Sequence, residues 1–252
     1  MSKVLFYKMT YDTGFAPNPF WGYLTLATCT PNHMRANLQK GDWIVGVEAK
    51  ELAKKRKAHG WKEDVDQSLV YIAKISEVMD LTSYFNDERF QEKKYQKSDD
   101  WRKRGGDNVY YKENGMWKWI RGHDHEFDTK NMPDEEVFFP IEKFDELWAK
   151  RGSKENIYGK QILQDIRGNR VFISEEFSYL GDMCIELPKE LKKFLPPKQG
   201  MKYTKREEAD EAVEFLESLI KKYGKGQLGN PIYCHIDKYC QEETEKSSSC
   251  GN

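Results

Sequence analysis

The 252-residue chain carries 41 Lys and Arg against 42 Asp and Glu, a formal charge of -1, which excludes the broad basic excess of proteins that coat a duplex by neutralising phosphates. A local pocket for one nucleotide stays open. The 14 Tyr, 13 Phe and 7 Trp allow a sizeable core despite a strongly negative mean hydropathy, in one large domain or two small ones. Cys29, Cys184, Cys234, Cys240 and Cys250 are odd in number and widely spaced, as free thiols in a reducing cytoplasm would be. No apolar stretch approaches the ~20 residues that span a bilayer. The apolar run after Met1-Ser2-Lys3 is too brief for a signal peptide.

In chain order, the N-terminal third reads as β-rich. Val4 to Met9 alternates apolar and polar residues, and Tyr23 to Ala27 is a second short strand. Gly41-Asp42 makes a turn into the apolar run Trp43 to Val47. Glu48 to Ala58 favours helix, and Leu69 to Ile75 has high strand propensity. The polar, aromatic-studded stretch from Tyr84 to Asp107 is a helix or a long ordered loop. Asn114-Gly115 between Val109–Tyr111 and Met116–Trp119 predicts a hairpin. His123 to Glu136 reads as a loop, Val137 to Phe139 and Val171 to Ser174 as strands, with a helix from Ile141 to Lys150 between them. Lys205 to Tyr223 is the clearest helix. Thr204 and Glu207 have capping-box spacing, Ala212, Leu216, Leu219 and Ile220 recur on one face, and Gly224 stands at the C-terminal cap. The result is one α+β domain over residues 1–240 and a disordered tail over 241–252.

Several segments combine residue types that bind or react. Thr10 to Gly22 packs two prolines, two glycines and four aromatics into thirteen residues. A stiff loop of this kind can present Asp12, Asn18, Phe20 and Trp21 to a base, or it can plug the end of a barrel. Arg35 has the planar fork that suits phosphate, and Cys29 near it is a nucleophile candidate without an assignable base. Gly105-Gly106-Asp107-Asn108 lets backbone approach a ligand and offers acceptors and donors, but lacks the spacing of a phosphate-binding P-loop. Ser174 to Gly181, with Phe177 and Tyr179, ends a strand in a polar-aromatic turn that suits recognition or packing. His123, Asp124 and His125 with Asp128 form the one dense cluster of metal-capable side chains, and Cys234-His235 with Cys240 lacks the second close pair of a structural zinc site. No cofactor is assigned, and a Gly-x-Ser-x-Gly elbow is absent.

Taken in order, these blocks resemble the nucleotide modification associated domain 2 family. The resemblance rests on Gly14-Phe15-Ala16-Pro17-Asn18-Pro19-Phe20 leading to Tyr23-Leu24-Thr25-Leu26-Ala27, and on Gly41-Asp42-Trp43-Ile44-Val45-Gly46. It continues through Leu69 to Val78, Gly106-Asp107-Asn108-Val109-Tyr110, and Val171 to Ser174 with Phe177 to Gly181. It covers roughly residues 3–190 and leaves the long helix outside. At Tyr179-Leu180-Gly181 the chain departs from the aromatic expected at position 180. The family keeps company, in phages and bacteria, with systems that make or recognise modified bases. A looser likeness of pattern, carried by Gly41-Asp42-Trp43 and Leu69 to Val78, is to PUA-like barrels such as the EVE, ASCH and YTH modules.

These resemblances imply a PUA-like β-barrel core with inserted helices and a long C-terminal helix. A modified base would sit in an aromatic cage of Phe15, Phe20, Trp21 and Trp43. Asp12, Asn18, Asp107, Asn108 and Tyr179 would complete the site, and Arg35 would meet a phosphate. The leading expectation is a cytoplasmic binding module for a modified nucleotide or DNA base. The alternatives are an enzyme on nucleotides or modified DNA, metal-assisted through His123, His125 and Asp128, or a protein that sequesters a nucleotide signal. No membrane partner is implied, and oligomers are compatible with any of the three.

Overall fold

The computed structural model describes residues 2–28, 36–58, 67–120, 138–153, 158 and 160–232. Thirteen strands are described: β1 (Val4–Met9), β2 (Leu24–Leu26), β3 (Trp43–Glu48), β4 (Ser68–Lys74), β5 (Glu77–Met79), β6 (Tyr110–Glu113), β7 (Met116–Trp119), β8 (Phe138–Pro140), β9 (Val171–Ser174), β10 (Glu176–Tyr179), β11 (Ile185–Glu186), β12 (Met201–Tyr203) and β13 (Gly226–Gln227). The α-helices are α1 (Lys50–Ala58), α2 (Leu81–Asn86), α3 (Trp101–Arg104), α4 (Phe144–Ala149), α5 (Lys160–Gly168), α6 (Lys189–Lys192) and α7 (Ala209–Tyr223). The chain is therefore mixed α+β.

The main sheet runs β12-β1-β3-β4-β10-β13, with β11 on β4. Smaller sheets run β2-β9-β5 and β6-β7-β8. All three are open paths among the described residues, so the closed PUA-like barrel of the sequence expectation is not what these ladders form. Alternation along buried strands explains the layers. Val4 and Phe6 of β1 with Trp43, Val45 and Val47 of β3 face α7. Leu5, Tyr7 and Met9 with Ile44 face the β2-β9-β5 sheet through Leu24, Leu26 and Phe172. The other side of that small sheet, Val171 and Ile173, packs on α5 and the hairpin sheet. Helix α7 inserts Ala212, Leu216, Leu219 and Ile220, each larger side chain worth roughly 1.5–3 kcal/mol when buried.

The turns follow their residues. Asp42 accepts the Lys3 and Gln39 amides at 2.8 and 2.9 Å, closing the Gly41 turn where φ is 89°. Asn114 and Gly115, at φ 51° and 75°, form the type I′ hairpin between β6 and β7. The capping box is not formed: neither N-cap residue, Lys205 or Glu208, makes a side-chain capping bond, and the Thr204 hydroxyl is buried without a partner. A 3-10 turn at Arg206–Glu208 precedes α7 instead. Gly224 ends α7 at φ 105°, ψ 168°, outside the left-handed helical region, with its N–H on the Ile220 carbonyl. The stretch from Tyr84 to Asp107 breaks into the end of α2, a 3-10 run over Glu88–Lys93 and the single turn α3, because Asp87 and Asp100 each restart it as an N-cap.

The main sheet carries one irregularity near its centre. Opposite Gly46 the β3–β4 register slips, so that Gly46 faces Tyr71 and Val47 faces Leu69. The extra residue, Val70, bends β4. A Cβ on Gly46 would lie against the Tyr71 ring and 2.6 Å from Met9 Sδ. Gly46→Ala is therefore expected to cost about 1–3 kcal/mol by overpacking, read as a lower denaturation midpoint at unchanged slope.

Candidate functional site

The loop after β1 carries Asp12 directly past the strand's carboxyl end, and β10 brings Tyr179 to meet it. Asp12 is fully buried. It accepts the Tyr179 hydroxyl and the Ile232 amide, the latter at 3.1 Å. Burial drives the Asp12 pKa upward from 3.8 to about 7, against those two hydrogen bonds and with added repulsion from Asp182 and Glu48. Tyr179 stands opposite Tyr71 in the ladder, their rings stacked at 6.5 Å. The Tyr71 hydroxyl donates to Tyr7 at 3.1 Å. Burial and its neighbours raise the Tyr71 phenol well above its usual range.

A second carboxylate lies at the end of the parallel neighbour. Met9 of β1 and Glu48 of β3 are register partners, so Glu48 shares the pole with Asp12. Helix α1 returns Arg56 onto it in a two-pronged bond: Nε to Oε1 at 2.6 Å, and a terminal nitrogen to Oε2 at 2.7 Å and to Ser68 Oγ at 3.0 Å. Both side chains are 3% exposed or less. Cys184 lies beside this pair, its thiol pushed up by burial. The polypeptide 228–232 closes the rear, with Leu228 and Ile232 donating to Tyr179 and Asp12. That closure explains Gly181, at φ 51°, where a Cβ would collide with the Asn230 carbonyl. Leu180, the departure from the family pattern, is buried in the core under α7.

Above Glu48 a cavity of about 280 Å³ opens at the carboxyl ends of β1 and β3, lined by Lys8, Glu48, Lys50, Gln67, Lys198 and Gln199 among others. It sits where α1 begins, the position at which open α/β sheets commonly hold ligands. Its chemistry is three ammonium groups, the Glu51 carboxylate and two amides, with the Glu48 carboxylate held beneath by Arg56.

A separate buried network ties the proline-rich loop to the segment before β6. Lys93 Nζ donates to Asn18 O at 3.0 Å, Asn18 Oδ1 at 2.7 Å and Tyr23 O at 3.0 Å. Asp107 accepts from Thr25 at 2.7 Å and Tyr84 at 2.8 Å. Burial lowers the Lys93 pKa to about 7, with Asp107 opposing, and raises that of Asp107, with Lys93 opposing. The Asn108 amide donates to Tyr84 O and Phe90 O. Gly106 is a close approach, since a Cβ would meet the Lys93 carbonyl 2.5 Å away.

The sequence-derived residues thus divide. Asp12 and Tyr179 are joined directly. Asn18, Asp107 and Asn108 lie in the buried network, hydrogen-bonded to protein groups. Phe15 and Phe20 are 2% exposed, and Phe20 meets Trp21 and Trp101 edge-on at 5.5 and 5.3 Å. Trp43 instead packs under α7, so the four aromatics are not one cage. Cys29, Arg35, His123, His125, Asp128, Cys234, Cys240 and the 241–252 tail lie outside the described residues. Among those described, no group of three His, Cys, Asp or Glu is placed to hold a metal, and no helix is long and apolar enough to cross a membrane.

Sequence reasoning passed over Glu48, Arg56, Tyr71 and Lys93. Two signals were available. Glu48 continues the Ile44-Gly46 alternation inward, and Arg56 lies four residues after buried Leu52 on one helical face. Lys93, in a polar stretch, had none.

An open mixed sheet with a charged cavity at the carboxyl ends of two parallel strands, and two buried carboxyl groups behind them, makes this an α+β protein. The chain belongs to the nucleotide modification associated domain 2 family, whose model matches residues 1–138 and 142–238. The match runs through α7, well past the point near residue 190 where the sequence resemblance stops. No curated protein and no solved structure gives a significant match. The family's description links the chain to nucleotide modification.

Proposed function

We propose that the protein is a binding module for a modified nucleotide or free base, held in the cavity above Glu48. The observation that carries this is the lining: Lys8, Lys50 and Lys198 supply charge for a phosphate, while Gln67 and Gln199 can read polar base edges. A volume of about 280 Å³ fits a base or mononucleotide, at the lower margin of ligand pockets. The near-zero net charge supports a small ligand over a polymer. Asp12 and Tyr179 act behind Glu48 as positioning groups.

A second reading, an enzyme on nucleotides, is favoured by Asp12, a buried carboxyl poised near neutral pH beside Glu48. One experiment separates them. The full chain is titrated with canonical and modified nucleoside monophosphates by calorimetry, and the mixtures are then chromatographed for products. The expected result is binding of one nucleotide class without turnover, weakened roughly tenfold or more by Lys50→Ala or Lys198→Ala, the loss of a charge-assisted contact. New product would move the assignment to the enzyme. No heat from any nucleotide at millimolar concentration would overturn both readings for this cavity.

A further inference from the structure

The proline-rich loop after β1 ends in a hairpin that the cavity above Glu48 does not use. Asn18 and Thr25 close it with two backbone bonds of 2.9 Å. At its tip Trp21 and Gly22 both take positive φ, 56° and 83°. Glycine does so freely, but for a side chain as bulky as indole the left-handed region is an outlier. Such a conformation persists only where its surroundings fix it, and it clusters at ligand sites. Here the buried network fixes it. Lys93 Nζ bonds the carbonyls of Asn18 and Tyr23, one on each side of the tip, at 3.0 Å each. Asn18 Nδ2 ties the hairpin to the Gly105 carbonyl at 3.2 Å.

What the network holds in place is a pair of indoles. Trp21 and Trp101, the first residue of α3, each meet the buried Phe20 ring edge-on, at 5.5 and 5.3 Å. Both are half-buried, and among the described residues neither is stacked face to face on another ring. The fully buried Lys93 ammonium lies over the Trp21 ring at 5.9 Å and backs the indole from the protein side. The cations of α3 are already engaged. Arg102 pairs with Asp100 at 2.7 Å and Lys103 with Glu92 at 3.1 Å, while Arg104 donates to the Ser98 and Asp99 carbonyls at 2.7 and 3.1 Å. The surface therefore offers rings rather than charge.

We propose that Trp21 and Trp101 form a stacking site for an uncharged nucleobase, with Lys93 and Asn18 as the positioning residues beneath it. Neither indole belongs to the lining of the cavity above Glu48, so this is a second site. Stacking suits any base, since each has a π-face, and needs no polar reader of its edges. Paired cations fit a neutral ring better than a phosphate, and a base fits the family's link to nucleotide modification. The base can come from a free nucleoside or from a single strand.

The test titrates the full chain with adenosine, with ribose as the control that lacks a base, and with a short deoxyadenosine strand, following the indole N–H resonances. Adenosine is expected to shift the Trp21 and Trp101 signals, which are assigned by their loss in Trp21→Asn and Trp101→Ala. Each variant should bind adenosine roughly fivefold more weakly or worse, the loss of one stacking partner. Lys50→Ala, in the other cavity, leaves the affinity read at these signals unchanged. A strand that binds more tightly than adenosine assigns the site to a base within a polymer, and one that does not assigns it to a free nucleoside. Thermal unfolding separates binding from packing. Asparagine tolerates the left-handed region, so Trp21→Asn should melt within about 4 °C of the wild type. A larger fall would show that the indole is there to hold the hairpin, and would sink the site. Equal shifts with ribose, or adenosine binding that survives undiminished in Trp21→Asn, would do the same. If Lys50→Ala abolishes the shifts and Trp21→Asn does not weaken binding, the base belongs to the Glu48 cavity and only that reading stands. No shift with adenosine or the strand at millimolar concentration overturns the stacking site alone.

Discussion

Arg56→Ala is expected to destabilise the protein by about 3–5 kcal/mol, because it strands the Glu48 carboxylate in the interior. The Arg56 guanidinium meets both Glu48 oxygens and Ser68 within 3.0 Å, and neither side chain of the pair exceeds 3% exposure. Removing the cation leaves Glu48 with no counter-charge at the pole it shares with Asp12, which already feels its repulsion. At roughly 2–4 °C per kcal/mol for a chain of this size, the melting temperature should fall by about 6–20 °C. The double variant Glu48→Leu with Arg56→Met separates charge from packing. Apolar replacement of a buried ion pair is often neutral, so the double variant should regain most of the loss. If Arg56→Ala costs less than about 1 kcal/mol in urea unfolding, the pair is solvated rather than buried.

The features legible in the sequence were those governed by neighbours along the chain. The alternation of Val4 to Met9, the Gly41-Asp42 turn, the Asn114-Gly115 hairpin and the apolar stripe of α7 all depend on local periodicity or on a required positive φ, and all appear. Where long-range pairing decides, the sequence reading stopped short. The stretch Glu176–Tyr179 became a strand because Ala73, Ile72 and Tyr71 were waiting as partners. Thr204 has the spacing of a cap, yet β12 ties it to β1 through its amide on the Val4 carbonyl at 2.9 Å, and its hydroxyl never reaches the helix. Sheet closure is likewise a global property: β12 and β13 are two-to-three-residue edges with no periodic signature. In the site, Asp12 and Tyr179 were each chosen for their own loops, but 167 positions separate them and nothing local couples them. Asn18, Asp107 and Asn108 look identical in sequence whether they serve a ligand or a latch. A third segment makes them a latch: buried Lys93 holds Asn18, while Tyr84 and Thr25 hold Asp107.

Asp12→Asn is expected to leave stability near pH 4 unchanged and to raise it increasingly toward pH 7. Burial raises the Asp12 pKa in the folded protein from 3.8 to about 7. Between those values the folded state binds a proton that the unfolded state has lost, so stability from this group is full below pH ~4 and declines as pH rises toward 7. A shift of this size corresponds to about 4 kcal/mol at 1.36 kcal/mol per unit. Asparagine copies the neutral carboxyl: its amide oxygen can accept the Ile232 N–H, and its NH₂ can donate to the Tyr179 hydroxyl oxygen. The variant should therefore match the wild type near pH 4 and exceed it increasingly up to pH 7, with a constant gap above. Taking the difference between the two proteins, by urea unfolding at each pH, removes Lys93, Asp107 and every other group common to both. A gap that does not vary over this range would mean that Asp12 is charged and solvated at neutral pH. The enzyme reading would then lose its one poised proton, while the binding module, which needs Asp12 only to hold Tyr179 in place, would stand.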